Sequence, residues 1–225
     1  MTDDGTTPVN LDLFSNQQGR DVYLEAICPD AVVIRHLVCN KAEQLVAAIA
    51  DISLHAPFRN MKTTSGASMS VAMTNCGQYG WLSDQTGYQY STSDPTTGKN
   101  WPSMPVLFTQ LAETAAMQAG FDNFHPNACL INRYHVGSRM GLHQDKDEHD
   151  LTAPIVSVSL GIPAIFLFGG LSRKNQTIKV HLDHGDVVVW GGSARLNYHG
   201  VAAVKNNFHE LTQRLRYNLT FRQAT

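Results

Sequence analysis

Residues 154–190 read PIVSVSLGIPAIFLFGGLSRKNQTIKVHLDHGDVVVW, and this stretch decides the fold. It holds four short runs rich in branched or aromatic residues: PIVSVSLG from Pro154, AIFLFGG from Ala164, TIKVHL from Thr177 and DVVVW from Asp186. Gly, Asn, Asp and Pro separate them, and each run has the length and composition of a strand. Working outward, ACLINRY from Ala128 and RYNLTF from Arg216 add two more. Strands at this spacing with no helices between them disfavour a parallel doubly wound sheet. A jelly-roll-like pair of antiparallel sheets is the simplest way to bury one face of each.

Toward the N-terminus the pattern changes. NKAEQLVAAIADI from Asn40 has a capping Asn, Glu43 three residues later and apolar residues at helical spacing, which predicts a helix to about Ile52. PVLFTQLAETAAMQA, from Pro105 to Ala119 with Gly120 as its stop, predicts a second. Both would buttress the outside of the sheets. Between them, Lys62 to Trp101 is rich in Ser, Thr, Gly and Tyr and reads as hairpins and long loops, a setting that often carries binding function.

The 225 residues are 43% hydrophobic and 16% charged with a net charge of -2, which excludes a disordered tail protein and a histone-like polycation. Charge is unevenly placed. Residues 1–56 hold 3 Lys/Arg against 8 Asp/Glu, and residues 57–225 hold 14 against 11, so a local basic face fits the larger part. Cys28, Cys39, Cys76 and Cys129 form no C-x-x-C pair, which predicts a reduced protein without thiolate zinc. The opening MTDDGTTPVNLDLF lacks the basic and apolar regions of a signal peptide, and no apolar run reaches the length of a membrane span. A cytoplasmic location without membrane association is the expectation, with residues 1–20 as a mobile leader and 21–225 as one domain.

The strongest chemical signal is GLHQDKDEHD from Gly141. His143 and Asp145 are two apart, so in an extended segment both side chains leave the same face. His199, in RLNYHG just after the DVVVW strand, is the expected third ligand. Two histidines and one carboxylate occupy one face of an octahedral ion and leave three positions open. An H-x-D in a polar loop is usually a solvated or hydrogen-bonded pair, so spacing alone is weak evidence. In RYNLTFR, Arg216 and Arg222 share one face of a regular strand, and a planar guanidinium beside a metal suits each end of a dicarboxylate. Asn132 and Tyr134, on one face of LINRY, offer neutral hydrogen bonds to the same ligand. Two surface ion pairs would use the same arginines differently.

Taken together, LINRY, H-Q-D-K-D, IVSVSLG, FGGL, HGDVVVWGG, YHG and RYNLTFR, in this order, resemble the AlkB family of nucleic-acid dealkylases. MSVAMTNCGQYGW from Met69 and GYQYS-x-x-DP from Gly87 extend the likeness over about two thirds of the chain, with the first 55 residues matching weakly. The resemblance implies a mainly β protein with flanking helices. Its core would be a double-stranded β-helix carrying N-terminal recognition hairpins, with 60–101 as a nucleotide-recognition lid. It implies Fe(II) on His143, Asp145 and His199, with 2-oxoglutarate as co-substrate and O2 as oxidant. Arg216 would meet the distal carboxylate, helped by Asn132 and Tyr134; Arg222 would lie near the metal-bound end, with Asn218 adding a hydrogen bond.

The implied reaction is oxidative demethylation of bases such as 1-methyladenine and 3-methylcytosine, in which decarboxylation of 2-oxoglutarate is coupled to release of formaldehyde, succinate and CO2. A base in a duplex must be flipped out to reach buried iron. By the same resemblance it would lie between Trp81 and His143, with Met73 and Tyr88 lining the pocket, Asp147 near its exocyclic or cationic edge, and Thr63 and Arg173 on the substrate side. The expected partner is alkylated single- or double-stranded DNA, with RNA as a further candidate, and the expected state is a monomer. The alternative is a dioxygenase of the same fold acting on a protein or small molecule. The other eight histidines carry no expected role.

Overall fold

The structure, a computed structural model, describes residues 21–225. The expected leader, 1–20, lies outside the described residues. In chain order the elements are β1 (Tyr23–Cys28), β2 (Ala31–Arg35), α1 (Ala42–His55), β3 (Arg59–Lys62), β4 (Ser68–Gly77), β5 (Gly80–Asp84), β6 (Gly87–Ser91) and α2 (Val106–Gln118). There follow β7 (Ala128–Tyr134), β8 (Met140–His143), β9 (Ile155–Gly161), β10 (Ala164–Phe168), β11 (Ile178–Leu182), β12 (Val187–Trp190), β13 (His199–Val201) and β14 (Arg216–Arg222).

An eight-stranded sheet in the order β1-β2-β12-β9-β14-β7-β4-β3 faces a four-stranded sheet in the order β11-β10-β13-β8, and β5 and β6 form a separate hairpin. All these pairings are antiparallel. The result is the jelly roll expected from the strand pattern, with all six predicted strands in place.

Period-2 alternation explains why the large sheet is buried on both faces. Along β14, Leu219 and Phe221 join Val156, Val158 and Leu160 of β9 and Ile131 of β7 in a cluster with Leu45 and Ile49 of α1 and Phe108 and Leu111 of α2. The helices thus cover the outer face, and each fully buried aliphatic there contributes about 1.5–3 kcal/mol. The inner face packs Leu130, Tyr134, Ile155, Val188 and Trp190 against Phe166, Phe168 and Val180 of the small sheet. On that same inner face the sequence places polar residues, and they define the site below.

Three local expectations change. Asn40 sits within a 3-10 turn over Cys39–Lys41, and Lys41 occupies the cap of α1 without a side-chain hydrogen bond, because the chain enters the helix through that turn. Pro105 stands at the cap of α2 rather than inside it, and Gly120 ends that helix with φ +86. The segment 60–101 does not form one lid. Val71 to Cys76 are all buried, and β4 is a full member of the large sheet, paired with β7. The parts that reach the site are Thr63 in the β3–β4 turn, Ser68 to Ser70 and Met73 of β4, and Trp81 and Tyr88 of the β5–β6 hairpin.

Candidate active site

β8 and β13 pair so that His143 and His199 are direct cross-strand partners, with ring centroids 4.4 Å apart. Gly200 makes this approach possible: a Cβ there would stand 2.7 Å from the Met140 carbonyl oxygen and 3.0 Å from that of Gly141. Asp145 lies two residues beyond the end of β8, with its Oδ1 3.6 Å from His143 Nε2 and its Oδ2 3.8 Å from His199 Nε2. The three ligand atoms all lie within 4.8 Å of one another. Each imidazole directs Nδ1 at a backbone carbonyl, Gly141 at 2.9 Å and Asn197 at 3.0 Å. An Nδ1–H donated there leaves the Nε2 lone pair facing the centre, the tautomer a metal requires.

The electrostatics agree with ligation. Burial lowers the His199 pKa to about 4, with His143 adding to the effect, so this imidazole is neutral near pH 7. Burial alone would raise Asp145, but the Arg222 guanidinium, with the two imidazoles, holds its carboxyl well below the usual range. Arg222 donates through Nε at 3.0 Å and Nη2 at 2.7 Å to Asp145 Oδ2. Burial opposes the charge on Arg222, and Asp145 and Glu148 more than restore it.

Six residues along β14 from Arg222, the other end of the cavity is built differently. Arg216 is 1% exposed and donates Nη2 to Ser159 Oγ at 2.9 Å. Its Nε and Nη1 meet no acceptor, and neither does Asn132 Oδ1 meet a donor. The Arg216 guanidinium lies 4.9 Å from the Tyr134 ring, and burial pushes its pKa down. A buried cation with two unmet N–H groups calls for an anion. These residues therefore fit a carboxylate co-substrate, as the triad fits a divalent ion.

Asn218 departs from expectation. Its amide donates to Ser157 Oγ and Val158 O and accepts from Asn132 and Thr220, so it holds Asn132 in place and has no hydrogen bond to spare for a ligand. Asn132, Tyr134, Arg216, Asn218 and Arg222 all line one narrow cavity of ≈ 50 Å³ with the triad. That is room for a few water-sized groups, at roughly 10–15 Å³ each.

A larger cavity of ≈ 570 Å³ opens onto His143, Asp145 and Arg222 from the other side. Thr63, Met73, Trp81, Tyr88, Asp147 and Arg173 all line it. Met73 is fully buried in the core, whereas Tyr88 is 48% exposed at the rim. Trp81 and Tyr88 stack at 5.5 Å with an interplanar angle of 18°, and the Trp81 indole N–H donates to Asp147 Oδ2 at 2.9 Å. Arg139, Lys146 and Arg173 bring positive charge to the same cavity.

Three residues with a part in this site were not singled out from the sequence. Glu148 is buried and pairs with Arg195 at 3.0 Å; Arg195 also donates to the backbone oxygens of Asp145 and Ala153 and so clamps the loop that carries Asp145. Tyr90 donates its hydroxyl to Glu148 at 2.6 Å. Tyr90 stood inside the GYQYS motif, which was the one available signal.

Residues 30–222 match the family model of the 2OG-Fe(II) oxygenase superfamily. The chain is 54% identical over 214 residues to Alpha-ketoglutarate-dependent dioxygenase AlkB of Escherichia coli (strain K12), covering 95% of this chain and 98% of that one. It is 34% identical over 122 residues to Nucleic acid dioxygenase ALKBH1 of Homo sapiens, covering 54% of this chain and 31% of that one. The solved structure of OsALKBH1 superposes with a TM-score of 0.78 at 27% identity, covering 89% of this chain and all of that one. Likeness over 95% of the chain reaches well into the first 55 residues, further than the motifs alone suggested. With the His-Asp-His cluster and the unmet Arg216 in place, the chain belongs to the AlkB family of Fe(II)- and 2-oxoglutarate-dependent dioxygenases.

Proposed function

We propose that the protein repairs nucleic acid by oxidative removal of small alkyl groups from bases such as 1-methyladenine and 3-methylcytosine. One observation carries the substrate side of this reading: the ≈ 570 Å³ cavity that ends on the triad is walled by stacked Trp81 and Tyr88 and by the Asp147 carboxylate. An aromatic platform accepts any base by its π-face, and a carboxylate beside it favours a ring made cationic or bearing an exocyclic amine. The names of the relatives, a nucleic acid dioxygenase among them, point the same way.

In this reading His143, Asp145 and His199 hold Fe(II). Arg216 and Tyr134 take the distal carboxylate of 2-oxoglutarate, and Asn132, oriented by Asn218, completes the polar wall. Arg222 keeps Asp145 ionised and aimed at the centre. When bound, Fe(II) and 2-oxoglutarate supply the oxidation by O2 that yields succinate and CO2 and hydroxylates an N-alkyl carbon, which then leaves as formaldehyde. The chain's own work is to seat the base, exclude water and align that alkyl carbon with the open side of the triad. Trp81 and His143 sandwich the base, Asp147 reads its edge, Met73 closes the floor, and Thr63 and Arg173 meet the strand backbone together with Arg139 and Lys146.

The acting unit is a single domain, 21–225, working as a monomer in the cytoplasm. Its substrate is single-stranded DNA, or duplex DNA with the damaged nucleotide flipped out. Among the described residues no helix is long and apolar enough to cross a membrane. The test is anaerobic reconstitution with Fe(II) and 2-oxoglutarate, then air, with DNA and RNA oligonucleotides carrying 1-methyladenine or 3-methylcytosine. Loss of one methyl group per succinate supports the reading, and the ratio of rates assigns DNA or RNA. Succinate without change in any base moves the substrate to a protein or small molecule.

A further inference from the structure

Trp81 and Tyr90 are direct cross-strand partners in the β5–β6 hairpin, so their side chains leave the same face. Both reach the loop that carries Asp145, and they land on consecutive residues: Trp81 on Asp147 and Tyr90 on Glu148. The hairpin pairs with neither sheet. A two-stranded ribbon of this kind is marginal alone; β5 is tied down by Asn75 of β4, which bonds both the N–H and the carbonyl of Trp81, and by Ser83 on the Lys62 carbonyl, while β6 reaches the Asp145 loop through Tyr90. Arg59 adds a tether further along, through Asp94, and the Trp101 indole N–H holds the Ser91 carbonyl.

Glu148 has a second connection. Its Oε1, which accepts the Tyr90 hydroxyl, also lies 3.3 Å from Arg222 Nε, and the same Arg222 grips Asp145 Oδ2. Two buried carboxylates therefore share one guanidinium, at opposite ends of a path from the triad to the hairpin. In a buried setting such interactions are strong, and a change at one partner is felt by the other.

We propose that Tyr90 and Glu148 are positioning residues that couple the base-contacting hairpin to the metal-site carboxylate. A cation at the triad draws on the charge of Asp145 and repels Arg222, which leans on Glu148. Held from both sides by Arg195 and Arg222, Glu148 then presents a fixed oxygen to Tyr90. That clips the hairpin down with Trp81 in place. The coupling is reciprocal: a nucleic acid seated against Trp81 tightens the metal site by the same factor. This rests on the reading of β5–β6 as the hairpin that meets the base.

The experiment measures binding rather than turnover. Under anaerobic conditions, a fluorescent single-stranded oligonucleotide carrying 1-methyladenine is titrated into the wild type, Tyr90→Phe, Glu148→Gln and the double variant, with and without Mn(II) plus 2-oxoglutarate. Mn(II) affinity is measured with and without the oligonucleotide. In the wild type each should strengthen the other by about fivefold or more. In both single variants that factor should collapse toward one, and the double variant should lose nothing further. Tyr90→Phe keeps the ring and its packing, so it carries the test if Glu148→Gln fails to fold. A wild-type factor that survives intact in Tyr90→Phe overturns the coupling and leaves the site reading standing. A wild type that binds Mn(II) but no oligonucleotide removes the site reading, and the coupling with it.

Discussion

Strand β14 carries two buried arginines six residues apart on one face, and their surroundings are opposite. Arg222 has two carboxylates, Asp145 and Glu148, within 3.3 Å. Arg216 has no carboxylate beside it: the Ser159 hydroxyl and Tyr134 are its neighbours, and its Nε and Nη1 meet no acceptor. Burying a charge without a partner is expensive, so the second arrangement makes sense only where the counter-charge arrives with a ligand. The contrast separates two uses of one residue type: Arg222 is locked onto carboxylates beside the His-Asp-His cluster, and Arg216 keeps the unmet donors that its proposed role toward a co-substrate requires.

Arg222→Met should break the comparison most visibly. It strands the buried Asp145 carboxylate and leaves Glu148 with Arg195 alone, a loss of about 3–5 kcal/mol, and calorimetry of the metal-free chain should show melting lowered by roughly 10 °C. Arg216→Met should move stability the other way or not at all in the same measurement, since it deletes an unpaired charge. It should nevertheless weaken 2-oxoglutarate binding by about thirtyfold or more in isothermal titration of the Mn(II) form. If both substitutions lower melting equally, the two arginines do not differ as described.

A third outcome sharpens the distinction. With Mn(II) present, 2-oxoglutarate at about a hundred times its Kd should stabilise the wild type by about 2.7 kcal/mol, an increment that Arg216→Met should lack at the same concentration. The smallest effect is expected of Tyr134→Phe, which keeps the ring beside Arg216 and removes one hydroxyl. Affinity for 2-oxoglutarate should fall about fivefold, the worth of one hydrogen bond of about 1 kcal/mol, with melting unchanged.

Both arginines were legible in RYNLTFR because polar and apolar residues alternate there: Arg216, Asn218, Thr220 and Arg222 take the inner face, Leu219 and Phe221 the outer one. The same alternation exposed β7 and β9. It failed for β2, where AVVI is unbroken apolar up to Arg35 because the strand lies between β1 and the sequence-distant β12. It failed also for β8 and β13, four and three residues long, whose identity as strands rests on their pairing with each other and, for β13, with β10. The triad could be read from residue types and spacing only together with the resemblance carried by the motifs around it. Glu148, Arg195 and Tyr90 could not, since each alone is an ordinary polar side chain and only their meeting in space gives them a role. Asn218 shows the converse: its position on the right face was correct, but the number of bonds it had already made was visible only in three dimensions.

Gly200 carries a consequence for variation. It stands between the two imidazoles' strands, where even one added carbon would meet backbone oxygens that no rotamer change can move aside. In a saturation library selected on survival of alkylation damage, this position should tolerate almost nothing, alanine included. Neighbouring rim positions such as Tyr88 should accept a range of substitutes. The tightest filter on such a library would then fall on a residue with no side chain to offer a metal or a substrate.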